Sequence, residues 1–145
     1  MYVLQAIIGE SGSFSGSLPQ ELQSVGLPGG IDMIPLTSEA LAFHGILPFL
    51  LAEEVDEVIS PQLAGLCERL SKECALAFIE ADFFGGTGTQ AHALFAEGEA
   101  VGQAVISQHA INEALRYLGV TRGEAHDEFE AAGLYQHRHT DDWLA

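Results

Sequence analysis

The amino-acid sequence predicts an α+β fold: a single domain, residues 1–145, with a mainly antiparallel sheet of about four to five strands and helices packed on one face. Three observations carry that expectation. The chain has 145 residues, 48% of them apolar and 18% charged, which suits one domain able to bury roughly 68–70% of its unfolded surface. Short runs rich in branched and aromatic residues recur at Tyr2 to Ile8, Ile31 to Leu36, Leu76 to Phe84 and Ala91 to Ala96, each bounded by turn residues. Two other segments space their apolar residues at three and four, the period of a helix lying on a sheet.

Tyr2 to Ile8 ends at Gly9 and reads as the first strand. Residues 10–30 are crowded with Gly, Ser and Pro and read as a loop with the composition of a mobile segment, broken by a short helical turn at Pro19 to Ser24. Ile31 to Leu36 is the second strand, and Pro35, lacking a ladder donor, marks an edge or a strand end. Thr37, Ser38 and Glu39 open a short helix that has to stop near Gly45 and Pro48. The acidic run Glu53, Glu54, Asp56 and Glu57 is ambiguous between helix and strand.

Ser60-Pro61 is the clearest helix start, because Ser60 can accept from an orphan amide and Pro61 needs no donor in the first turn. Leu63, Leu66, Cys67 and Leu70 follow at helical spacing. A second helix starts near Ser107 with Ile111, Ala114, Leu115 and Leu118 on one face and Gly119 as its stop. A third is expected from Glu124 to Ala132, anchored by Phe129 and ended by Gly133. Leu134, Tyr135, Trp143 and Leu144 predict that part of the tail docks on the domain.

The chain is organised around Cys74 to Glu99, read as a long buried strand, a turn at Gly85, Gly86 and Gly88, and a returning strand. At least one of those glycines is expected at positive φ. A fifth strand at Ala100 to Ile106 follows the Ala-Glu-Gly-Glu-Ala turn. Glu80 and Asp82 lie two apart and therefore share a face. With His92 on the partner strand they form a candidate polar cluster, two carboxylates and an imidazole, able to hold a divalent metal or to do acid/base chemistry. The competing reading is a half-wet sheet whose acids alternate with core residues.

Gly86 to Ala91 matches G-x-G-x-x-A, the permissive dinucleotide fingerprint, but a returning strand replaces the helix that fingerprint opens. No lysine follows the glycines, so a P-loop is excluded as well. His126, His137, His139 and Asp141 form a second candidate set of metal-ligand types, without any established zinc spacing. No cofactor is expected, a divalent metal being the one these candidate sets would allow. No nucleophile elbow occurs, and Cys67 and Cys74, read as sharing one helix, would lie roughly 10 Å apart, too far for a disulfide.

Charge narrows the partners. Asp and Glu number 21 against 5 Lys and Arg, a formal charge of −16, which repels nucleic-acid backbones and anionic membranes and attracts basic proteins. No nucleic-acid or membrane partner is expected. MYVLQAIIGE lacks the basic residues of a signal peptide, and a reducing cytoplasm is the expected compartment. Oligomeric state has no signature.

The segments ALAFIEADFFGGTGTQAH, INEALRYLGV, HDEFEAAGL and HRHTDDWL resemble those of small acidic uncharacterised bacterial proteins, and their arrangement is similar in general style to immunity proteins of toxin systems. The resemblance covers Ala75 to Leu144 and implies no catalytic site. The leading expectation is a non-enzymatic protein-binding module of immunity or inhibitor type that captures a basic partner. The alternative is a metal-dependent hydrolase using the strand carboxylates and histidines.

Overall fold

The computed structural model describes residues 1–46, 60–84 and 87–144, the side chains of residues 84 and 87 excepted. Pro48, the acidic run at 53–57 and the turn glycines Gly85 and Gly86 lie outside the described residues. In chain order the elements are β1 (Tyr2–Glu10), β2 (Val25–Leu27), β3 (Ile31–Pro35), α1 (Ser38–His44), α2 (Pro61–Leu70), β4 (Leu76–Phe84), β5 (Thr87–Ala96), β6 (Glu99–Ile106), α3 (Ala110–Tyr117) and α4 (Glu128–Ala131). Two 3₁₀ turns, Leu134–Gln136 and Thr140–Leu144, close the chain. The strands form an antiparallel sheet in the order β2-β3-β1-β4-β5-β6. The fold is α+β, with one strand more than expected, because the three residues of β2 are too few to stand out of a Gly/Ser-rich stretch.

Helices cover both faces of the sheet rather than one. On the first face Ile7, Ile34, Phe78 and Phe95 pack under Leu41 of α1 and Leu63, Leu66 and Cys67 of α2. On the second, Leu4, Ile8, Met33 and Ile79 pack under Ile111, Ala114 and Leu115 of α3, with Ala132 and Leu134. The cause is visible in the central strands: six consecutive residues of β1, Leu4 to Gly9, are buried, as are Leu76 to Ala81 of β4. A strand without alternation needs cover on both sides.

Helix ends follow local chemistry. Thr37 Oγ1 accepts from the Ala40 amide, and α1 stops at Gly45 in the left-handed region (φ 67°). Ser60 Oγ accepts from the Leu63 amide at the start of α2, with Pro61 in its first turn. The third expected helix is shorter than predicted. Asp127, in extended geometry, accepts from the Glu130 amide and so begins α4 only at Glu128. Arg116 on α3 donates to Glu128 at 2.9 Å, and that hydrogen bond holds the Glu128 carboxyl below the ordinary range.

The β5–β6 turn is Glu97-Gly98, both at positive φ (55° and 80°), the geometry that matches strand twist in a two-residue hairpin. Gly88 answers a different need. It is absent from the positive-φ glycines and lies inside β5 opposite Phe83. A Cβ there would meet the Asp82 carbonyl oxygen at 2.5 Å and the Phe83 Cα at 2.7 Å. Thr87 already pairs with Phe84, so the strand begins earlier than the sequence spacing indicated.

The tail docks, as its apolar residues required. β3 ends at Pro35, opposite Ala6, and leaves the first residues of β1 without a full neighbour on that side. The tail fills the place: the Val3 amide donates to the Arg138 carbonyl at 2.7 Å, and Val3 bridges His139 in parallel. Thr140, nearly buried, accepts from the Gln5 amide at 3.1 Å and donates to the Val3 carbonyl at 3.3 Å. No helix among the described residues is long and apolar enough to cross a membrane.

Candidate functional site

The sheet register separates the predicted cluster of Glu80, Asp82 and His92. Glu80 pairs with Ala91 and Asp82 with Thr89, whereas His92 pairs with Ile79. Paired residues share a face, so His92 falls on the α3 side and the two carboxylates on the α1–α2 side. Glu80 is fully buried and accepts from Gln5 Nε2 at 3.0 Å across the β1–β4 pair, while Asp82 is half-buried toward the hairpin end.

His92 is 4% exposed and, among the described residues, its Nδ1 has no hydrogen-bond partner. Burial holds its pKa down, and Glu113 on α3 opposes that shift. Above about pH 6.5 the ring is neutral whether the chain is folded or not. Below it the unfolded chain takes up a proton that the folded chain resists, so acidification costs stability. His92→Leu removes both the orphaned nitrogen and this proton uptake. Thermal midpoints between pH 7 and pH 5 should therefore fall more steeply for the wild type than for His92→Leu; equal slopes would contradict the assignment.

The C-terminal set is dispersed as well. His126 is exposed just ahead of α4, and the His137 ring packs edge-on against Trp143 at 4.6 Å. His139 is exposed on the Val3 bridge, and Asp141 accepts from the Ser38 amide and hydroxyl at 2.9 and 3.0 Å. Among the described residues no three His, Cys, Asp or Glu side chains gather as metal ligands. The metal-hydrolase reading thus loses both of the clusters it named. Cys67 is buried in α2, and burial pushes its thiol pKa far up. Cys74, placed by sequence on the same helix, lies past the end of α2, half-buried, with its thiol donating to the Leu70 carbonyl; burial raises it too.

What the fold does assemble is an acidic hollow of about 300 Å³ beside the docked tail. Glu21 comes from the 10–30 loop, Glu39 from the first turn of α1 and Asp141 from the last 3₁₀ turn, with Gln23, Thr37 and Leu144 completing the wall. Three local devices hold these residues. His44 Nε2 donates to the Gln20 carbonyl at 2.8 Å, fixing the loop next to Glu21. Thr37 caps α1, and the Asp141–Ser38 bonds join the tail to that same helix end. No lysine or arginine lines the hollow, and among the described residues neither Glu21 nor Glu39 takes part in an ion pair. A concave surface of one sign focuses its field toward a ligand of the other.

Sequence spacing could not reveal this hollow, because its three carboxylates come from three distant segments, the loop and α1 joined by the His44–Gln20 bond and Asp141 brought by the docked tail. Comparison with known proteins returns no matching family model, no matching curated protein and no matching solved structure.

Proposed function

We propose that this protein is a non-enzymatic binding module that captures a basic protein partner, in the manner of an immunity or inhibitor protein, and that the acidic hollow at Glu21, Glu39 and Asp141 receives a lysine or arginine of that partner. The supporting observation is the hollow itself: three carboxylates from three elements, with no lysine or arginine among the described lining residues, on a chain of formal charge −16. The wider field steers a cationic surface during encounter, and the hollow gives one side chain a defined place. Nothing in this reading requires a catalytic group.

A labelled peptide rich in lysine and arginine, titrated by fluorescence anisotropy, tests the proposal. Binding should weaken as salt rises, since exposed charges are screened. The double change Glu21→Gln with Glu39→Gln should weaken it about tenfold, ~1.4 kcal/mol, while Glu124→Gln with Glu130→Gln, equal in charge, should change it much less. Equal losses for the two pairs would reduce the hollow to general surface charge. Absence of binding at low salt would remove the proposal altogether.

A further inference from the structure

A second and larger concavity lies elsewhere. It is an open groove of about 1060 Å³ between the loop from Glu10 to Pro19 and the chain from Arg69 to Ala75 that leads out of α2. The loop wall is built rather than draped. Phe14 is buried, and its ring lies over Gly9, where a Cβ would come within 2.9 Å of Cζ. The Gly12 amide donates to Asp32 Oδ2 at 2.9 Å, and the Ser11 amide to the Gly30 carbonyl at 2.9 Å.

The chemistry of the groove runs against that of the rest of the molecule. The chain has five Lys and Arg in all, and two of them, Arg69 and Lys72, line this one feature. Among the described residues neither makes an ion pair, although 21 carboxylates compete for them. Ser13, Ser15 and Ser17 line the same groove, the Ser13 side chain being engaged with the Cys74 thiol. Among the described residues, the amides of Gly16 and Ser17 donate to no backbone carbonyl. A guanidinium fork, an ammonium, hydroxyls and free amides on a glycine-rich loop are the donors that a tetrahedral oxyanion takes.

Glu10 and Glu73 also line the groove and limit what the rest of the ligand can be. A purely anionic molecule would meet two carboxylates, whereas one bearing amine or hydroxyl groups would donate to them. The groove is large enough to admit a small organic molecule.

We propose that this groove binds a small phosphate monoester with an amine- or hydroxyl-bearing organic part, its phosphate held by Arg69, Lys72 and the serine loop. The site shares no lining residue with the acidic hollow and is independent of the function proposed there.

The test is thermal unfolding of the full chain titrated with O-phosphoethanolamine, with ethanolamine and sulfate as controls. Saturable stabilisation by O-phosphoethanolamine is expected, with half-saturation moved at least tenfold higher in Arg69→Gln with Lys72→Gln and unchanged in Arg122→Gln. The charge-keeping pair Arg69→Lys with Lys72→Arg should recover most of the binding, which separates loss of the site from loss of the fold. No stabilisation, a non-saturating rise matched by sulfate, or equal response in the neutralised variant would each overturn the proposal.

Discussion

Phe78→Ala should destabilise the protein by about 3–5 kcal/mol, the cost of emptying a fully packed aromatic site. Phe78 is wholly buried in β4, one of the two central strands, on the face covered by α1 and α2. Domains commonly hold only ~5–15 kcal/mol in total, so this one change consumes a large part of the margin. Urea denaturation with both slope and midpoint measured gives the number. Val101→Ala on β6, where the side chain is 41% exposed, should lose far less. A Phe78→Ala loss below about 1 kcal/mol would place Phe78 outside the core and break the two-faced account of the sheet.

Thr140→Val should cost about 1–3 kcal/mol despite its nearly unchanged shape. The threonine hydroxyl is the acceptor for the buried Gln5 amide and a donor to the Val3 carbonyl. Valine fills the volume but leaves the Gln5 N–H without an acceptor, and an unsatisfied buried donor bears its whole desolvation penalty. Thr140→Ser keeps the hydroxyl and should retain most of the stability. If serine and valine variants unfold at the same midpoint, keeping the hydroxyl gains nothing and the tail does not latch through this hydrogen bond. Because Asp141 follows directly, loosening the latch should also weaken binding at the acidic hollow.

The elements that were legible in the sequence carry local signals strong enough to survive tertiary context. Ser60-Pro61 and Thr37 cap helices, Glu97-Gly98 turns a hairpin, and the apolar runs of β1 and β4 are central strands. The run Leu4 to Gly9 is interrupted in the sequence by Gln5 yet buried throughout, so the second covered face shows only in the fold, and the acids of β4 read from sequence as a wet side. The position of His92 depended on turn length alone. The register in which Phe84 pairs with Thr87 sets even-numbered β4 residues opposite odd-numbered β5 residues, so His92 joins Ile79 rather than Glu80. A turn longer or shorter by one residue would have reversed that result.

Site residues were harder to read because their grouping is made at long range. Glu21, Glu39 and Asp141 share a wall only after the tail has replaced the missing end of β3. The histidines of the tail, dense in the sequence, spread out because His137 turns onto Trp143 while His139 stays exposed. Composition held one usable clue that spacing did not: in a chain so short of cations, Arg69 and Lys72 three residues apart at the end of a helix are conspicuous.

Amide chemical-shift changes, followed while a lysine- and arginine-rich peptide is titrated into the labelled protein, locate where the cations bind. Saturable shifts are expected at Glu21, Gln23, Glu39, Asp141 and Leu144, with small changes at Arg69 and Lys72 and collapse of the pattern in Glu21→Gln with Glu39→Gln. Shifts spread evenly over exposed carboxylates such as Glu97, Glu124 and Glu130, or centred on a surface away from the docked tail, would contradict that placement.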